Sequence, residues 1–94
     1  MKAGPCALCA REAPLTFHHL IPRKVHRRPR FAKRYAREAL AGGIDVCHLC
    51  HKAIHRFHDE MTLATTLTTL EALRADPALL RHSAWAAKQT VQVP

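Results

Sequence analysis

Ninety-four residues, with 15 Lys and Arg against 7 Asp and Glu, make a short basic chain of formal net charge +8. That length holds one domain that buries only about 60–65% of the surface its unfolded form exposes, so its apolar core calls for a staple. No run approaches transmembrane length, and the opening MKAGPCALC is too short and too interrupted for a signal peptide, so the chain reads as cytoplasmic, with reduced thiols and no membrane partner.

Taken in chain order, residues 5–14 form a knuckle-like loop bounded by Pro5 and Pro14. Leu15 to His18 reads as a short strand. Arg30 to Leu40 reads as a basic helix stopped by Gly42 and Gly43, a left-handed terminator. Ile44 to Val46 is a second short strand. A helix is expected from about Leu49 to Met61, with Ile54, Phe57 and Met61 on its apolar stripe. Thr62 to Arg74 places Leu63, Leu67, Leu70 and Leu73 at helical spacing, against the β-branching of its threonines. Asp76-Pro77 is a helix start, with Asp as N-cap and Pro at the first turn. That helix should run to about Lys88 and bury Leu80, Ala84 and Trp85.

The whole chain, 1–94, reads as one domain in two parts. Residues 1–60 hold all four cysteines and seven of the eight histidines; residues 61–94 are a helical packing segment. Chemistry is expected in front and packing behind.

Charge is concentrated. Eight of the fifteen basic residues lie between Arg23 and Arg37, and no acid occurs from Ala13 to Arg37. A single-sign patch of this kind tracks a polyanion, and nucleic acid is the natural partner. Arg23, Lys24, Arg27, Arg28, Arg30, Lys33, Arg34 and Arg37 are expected to contact phosphates, giving affinity without base readout. An anionic membrane surface fits less well, because Pro22 and Pro29 interrupt any long amphipathic helix.

Cys6-Ala-Leu-Cys9 and Cys47-His-Leu-Cys50 are two CxxC knuckles. Thiolates at i and i+3 converge on one metal, and two such pairs complete a tetrahedron, so a structural Zn²⁺ held by Cys6, Cys9, Cys47 and Cys50 is expected. Two disulfides are disfavoured in a reducing compartment, and a redox CxxC needs no second copy. Structural zinc binds small peptides with about 10–16 kcal/mol of apparent free energy, which becomes folding energy. No organic cofactor is called for.

The second knuckle runs into His51-Lys-Ala-Ile-His55. Histidines at i and i+4 share one helix face, the helical form of a two-histidine metal site. LTFHH supplies a third imidazole. Neighbouring side chains on a strand point to opposite faces, so one ring of His18 and His19 can join the helix pair on a metal while the other stays free as a base. Phosphodiester hydrolysis uses both functions: a general base makes the nucleophile, and a metal offsets charge on the phosphate and leaving oxygen. His58, one turn beyond His55, reads as a phosphate contact or spectator, His26 and His48 have no evident partner, and His48 should face solvent.

CALC, LTFHHLIPR and CHLCHKAIH, in that order and with a basic segment between the last two, resemble the HNH endonuclease family of the ββα-metal (His-Me finger) fold. The likeness is closest to small stand-alone bacterial and phage proteins with zinc knuckles, and its specific motifs cover residues 6 to about 58. The resemblance implies an α+β fold, a small zinc-stapled ββα-metal unit with extra C-terminal helices. It implies that His18 is a ligand of a catalytic divalent metal (Mg²⁺, Mn²⁺ or Ni²⁺) with His51 and His55, that His19 is the general base, and that the substrate is double-stranded DNA. The family is named for a middle Asn just before the second strand, and this chain contains no Asn. Gly42 or Gly43 falls near its place, and backbone groups there, or Asp45, are the candidates to replace it. From a different class, a zinc-containing nucleic-acid-binding module without catalysis accounts for the cysteines and the basic segment, though not for the histidine set.

Overall fold

The structure, a computed structural model, describes residues 2–90. Its strands are β1 (Ala3–Pro5), β2 (Glu12–His19) and β3 (Gly43–Cys47), in an antiparallel sheet of order β1-β2-β3. Its helices are α1 (Pro29–Arg34), α2 (Arg37–Ala41), α3 (His48–Phe57), α4 (Glu60–Thr66), α5 (Leu70–Ala75) and α6 (Pro77–Ala86), with a 3-10 turn at Arg23–Val25. This is a small α+β fold. Among the described residues no helix is long and apolar enough to cross a membrane.

The β2–β3 ladder is the frame. Leu15 pairs with Cys47, Thr16 with Val46, Phe17 with Asp45, His18 with Ile44 and His19 with Gly43. Residues directly opposite in such a ladder share a face, so Thr16 and His18 lie on one face with Val46 and Ile44. Strand β3 runs straight into α3, with Cys47 as N-cap, and α3 packs back on β2 and β3. The result is an antiparallel ββα unit.

The expected helix over Arg30–Leu40 is two short helices. Tyr35 and Ala36 are both extended, at ψ 139° and 155°, and break it. Gly42 and Gly43 do not end α2 in a left-handed turn either, since neither has positive φ. Gly43 is needed for space instead: a Cβ there would run into the His18 carbonyl and the Phe17 ring. The basic segment is anchored rather than loose, because Ile21, Val25, Phe31 and Leu40 are buried together with Ala64 of α4.

The C-terminal half also breaks more often than its leucine spacing suggests. Helix α3 ends at Phe57, and His58 is extended. Asp59 then caps α4 by accepting from the Thr62 amide at 2.7 Å. A second break at Leu67–Thr69 restarts the chain as α5, where Thr69 accepts from the Ala72 amide at 3.1 Å. Asp76 caps α6, accepting from the Leu79 amide at 3.1 Å with Pro77 in the first turn, as the Asp-Pro pair predicts. Its buried residues are Leu79 and Ala86, whereas Leu80, Ala84 and Trp85 are exposed, so the expected stripe is set on the wrong side of the helix. Of the α3 stripe, Ile54 is buried and Phe57 exposed, while Met61 belongs to α4 and sits half-buried.

Ile54, Leu63, Leu67, Leu73 and Leu79 form the second core, beneath α3. Leu79→Ala should therefore cost about 2–5 kcal/mol, the range for a leucine cut from a packed site. Leu80→Ala, at a position 59% exposed, should stay within about 0.5 kcal/mol. Urea denaturation of the two variants beside the parent checks the assignment, and equal losses would contradict it.

Candidate metal centres and cleft

Cys6 and Cys9 lie in the loop between β1 and β2. The Cys6 amide donates to the Arg11 carbonyl at 3.0 Å and the Ala10 amide to the Cys6 carbonyl at 2.9 Å. Ala10 closes the loop with a left-handed φ of 64°, a conformation that costs a non-glycine residue roughly 1–2 kcal/mol. Contacts at Ala7 help hold the loop in place. The Ala7 amide donates to the Asp45 carbonyl of β3 at 3.0 Å. The Arg74 guanidinium of α5 donates through Nε and a terminal nitrogen to the Ala7 carbonyl, at 3.1 and 2.8 Å. Cys47 ends β3 and Cys50 lies in the first turn of α3.

The four thiols are free and buried, and all four sulfurs lie within 4.8 Å of one another. Cys9 Sγ and Cys47 Sγ are 3.8 Å apart, matching the roughly 3.8 Å edge of a tetrahedron with Zn–S bonds of about 2.3 Å. The neighbouring Cys50 thiol draws Cys6 down to about 4. The same contact, with burial, pushes Cys50 up, and burial pushes Cys9 up to about 11. The Cys6 thiolate forms easily while Cys9 and Cys50 resist, which is the conflict a divalent cation at the centre removes. The tetrad is compatible with a structural zinc site.

The second cluster is His18, His51 and His55, each offering a ring nitrogen within 4.8 Å of the others. Ring centroids are 5.5 Å apart for His18–His51, 5.4 Å for His18–His55 and 5.2 Å for His51–His55. His18 is 1% exposed, and its Nε2 is buried with no hydrogen-bond partner among the described residues. A buried nitrogen with nothing to bond is costly, and a cation among these rings would give it a partner. Burial, then the neighbouring His51 and His55, lowers His18 to about 4, and burial with His55 and His48 also lowers His51. Both are therefore neutral at pH 7, the form that ligates metals. In the metal-free chain the unfolded state takes up this proton first, so the contribution of His18 to stability is complete above about pH 6.5 and falls away toward pH 4.

Thr16 was not singled out from the sequence, yet it fixes one of these rings. Its hydroxyl donates to the Val46 carbonyl at 3.1 Å, which uses its only proton. With that proton on Val46, the hydroxyl accepts at 2.7 Å from His51 Nδ1, the arrangement in which His51 carries its proton on Nδ1 and Nε2 keeps a free lone pair.

His19 stays outside the cluster. Its ring stands edge-on to Phe17 at 4.9 Å and lies 5.9 Å from that of His26. Burial, then the charges of His26 and Arg23, lowers its pKa below 6.5. All four histidines nevertheless line one cleft of about 260 Å³, rimmed by Arg23 and Lys24. The Leu20 amide, just past His19, donates to the Gly42 carbonyl at 3.2 Å, so a backbone group of the glycine turn braces the chain leaving β2. Asp45 does not: its carboxylate is 2.6 Å from Lys2.

Arg23 and Lys24 lie in the 3-10 turn, Lys24 at 3.4 Å from Glu60. Arg27, Arg28, Arg30, Lys33 and Arg34 are exposed on and before α1. The Arg37 side chain lies outside the described atoms. His26 has a partner after all, the Ile21 carbonyl at 2.7 Å. His58 is structural: its Nε2 lies 3.0 Å from Asp76 Oδ2, joining the end of α3 to the start of α6. Burial pushes the Asp76 carboxyl up, and the bonds from His58 and the Leu79 amide more than offset it, leaving it below the usual range. His48 is exposed, as expected.

Purified protein should contain one zinc per chain that survives dialysis, read by elemental analysis. Cys47→Ser should lose both the zinc and the fold of the β2–β3–α3 unit, because structural zinc supplies folding energy outright. Freshly prepared folded protein without zinc would refute the assignment.

No protein-family model and no solved structure matches the chain. It is similar to the uncharacterized protein YisB of Bacillus subtilis (strain 168), 35% identical over 88 residues that cover 93% of this chain and 77% of that protein. At that identity and coverage the two share a fold and an ancestry, and the chain belongs to the YisB family.

Proposed function

We propose that the protein is a metal-dependent endonuclease of the HNH type, hydrolysing phosphodiester bonds of double-stranded DNA. The observation that carries the reading is the cleft in which His18, His51 and His55 gather their ring nitrogens while His19 stands apart beside Arg23. A cluster of three imidazoles, one with a buried nitrogen unpartnered among the described residues, has little use in a purely structural part.

His18, His51 and His55 hold a divalent cation, Mg²⁺, Mn²⁺ or Ni²⁺. When bound, the cation supplies positive charge against the phosphate and the 3′ leaving oxygen. His19 takes a proton from the attacking water. Phe17 and the Leu20–Gly42 bond limit where the His19 ring can sit. Arg23 and Lys24 at the rim offset phosphate charge, and Arg27 to Arg34 extend the basic surface along the duplex. Zinc on the cysteine tetrad takes no part in the reaction and keeps β3 and α3 in register with β2.

His19→Ala should keep metal and DNA binding and lose cleavage by roughly 10²- to 10⁴-fold, with no rescue by added metal. His18→Ala, His55→Ala and Thr16→Val should weaken metal affinity instead, so that raising Mn²⁺ or Mg²⁺ restores part of the rate. A base works unprotonated, so the rate should rise with pH through a midpoint below 6.5, and Arg23→Ala should move that midpoint up by removing a repelling charge. Plasmid cleavage across metals and pH reads all of these. If excess metal rescues His19→Ala and leaves His18→Ala dead, the two roles are exchanged. A chain that binds DNA and never cuts it is a zinc-containing binding module.

The basic segment gives a separate measurement. Neutralising Arg27, Arg28 and Arg30 together should weaken binding to unrelated sequences alike and lower the log–log salt slope by about 2.7, at about 0.9 per phosphate contact. Loss confined to one target sequence would mean that the segment reads bases.

A further inference from the structure

A second surface lies around α3 from the histidines. Lys52 and Arg56 follow His51 and His55 by one residue each, which turns them by about 100° on the helix. They face a groove of about 460 Å³ between α3 and α6, floored by Leu49 and Ala53 and walled by Phe57, His82 and Trp85. Trp85 is 51% and Phe57 44% exposed. His82 sits between them, its ring 5.5 Å from that of Trp85 and 6.2 Å from that of Phe57. Its Nε2 has no hydrogen-bond partner among the described residues. Among the described residues no carboxylate lines this groove, and beyond Trp85 the neighbouring hollow adds His48 and Arg11, again without a described acid.

An exposed tryptophan and phenylalanine are costly to leave in water, and the core does not use them. The lining charges are all of one sign, so an acidic ligand is favoured. Aromatic faces beside a pair of cations at i and i+4 suit a nucleotide strand, with the base stacked on a ring and the phosphate on Lys52 or Arg56. In a duplex the base faces are already stacked on each other, so they reach Trp85 only when unpaired.

We infer that the α3–α6 groove binds an unpaired stretch of DNA, with a base stacked on Trp85 and its phosphates on Lys52 and Arg56. The inference rests on the reading of the protein as one that acts on DNA. It adds a preferred substrate to that reading: a duplex carrying a single-stranded flap or gap, whose unpaired arm lies on the far side of the helix that holds His51 and His55.

Trp85 is the chain's one tryptophan, so its fluorescence reports the groove alone. The full chain, with no divalent metal added, is titrated with a thymidine oligonucleotide and with a blunt duplex of equal length. The single strand should quench the emission saturably and the duplex should not. With a labelled oligonucleotide followed by anisotropy, Trp85→Leu should bind roughly 5- to 100-fold more weakly. Lys52→Ala/Arg56→Ala should lower the salt slope by about 1.4, at about 0.7 per phosphate on a single strand. Quenching by the single strand without any plasmid cleavage would sink the nuclease reading and leave the groove assignment standing. Plasmid cleavage without quenching overturns the groove assignment alone. Equal quenching by duplex overturns it too, as does an emission shift with protein concentration accompanied by dimer formation, which would make a second copy the occupant.

Discussion

The register of β2 against β3 decides where everything else falls. Its two ends carry the two clusters: Leu15 opposite Cys47 at one, His19 opposite Gly43 at the other, about 14 Å apart at about 3.4 Å per residue. A slip of one residue would turn His18 away from α3 and bring His19 toward it. The ladder bonds do not by themselves forbid that slip, because the backbone groups are alike at every step. Side chains forbid it. Cys47 must stay beside Cys9, Thr16 must reach both the Val46 carbonyl and His51, and position 43 admits no side chain next to Phe17. The cysteine tetrad is thus the pin that aligns a site at the opposite end of the same hairpin.

On the proposed nuclease reading, that alignment also stands in for the absent asparagine, since the chain leaving β2 must then be held so that His19 does not swing. A side-chain amide is one way to do it, and the Leu20 amide on the Gly42 carbonyl is another, available because Gly43 lets the two backbones approach. The electrostatics follow from packing. His18 is stripped of water and faces two other rings, and His19 lies beside Arg23 and His26. Each environment disfavours the imidazolium, so both rings hold a lone pair at neutral pH. One lone pair is buried among nitrogens and the other lies away from them in the cleft, a separation that follows from strand alternation.

Local chemistry was legible in the sequence wherever a residue type has few uses. Two CxxC pairs, an HxxxH beside one of them, and Asp76-Pro77 each name a geometry, and the structure has all three. Packing was less legible, since spacing gives a stripe without saying which side of the helix meets the core. Leu79 and Leu80 are equally apolar, and the choice between them depends on how α6 crosses α3. The helix breaks were hidden for a related reason. Leucines at Leu63, Leu67, Leu70 and Leu73 fit one helix or two, and the caps that decide, Asp59 and Thr69, are ordinary polar residues until a backbone amide is placed against them. The glycine pair misled because a left-handed stop is only one of the things a missing Cβ allows.

The contrast between a chemical front and a packing rear holds for residue types and fails for contacts. Ala86 of α6 is buried in the same cluster as the four cysteines. Arg74 of α5 grips the first knuckle through Ala7, and His58 and Asp76 join the end of the histidine helix to the start of the last one. Leu8, between the first two cysteines, packs against both the cysteine cluster and the leucine core beneath α3. A metal at the knuckles would therefore act on the same loop as apolar burial at the tail. Each lowers the entropy the other must overcome, so a chain of this length can hold α3 firmly enough to use one face of it for the histidine cluster and another for an open groove.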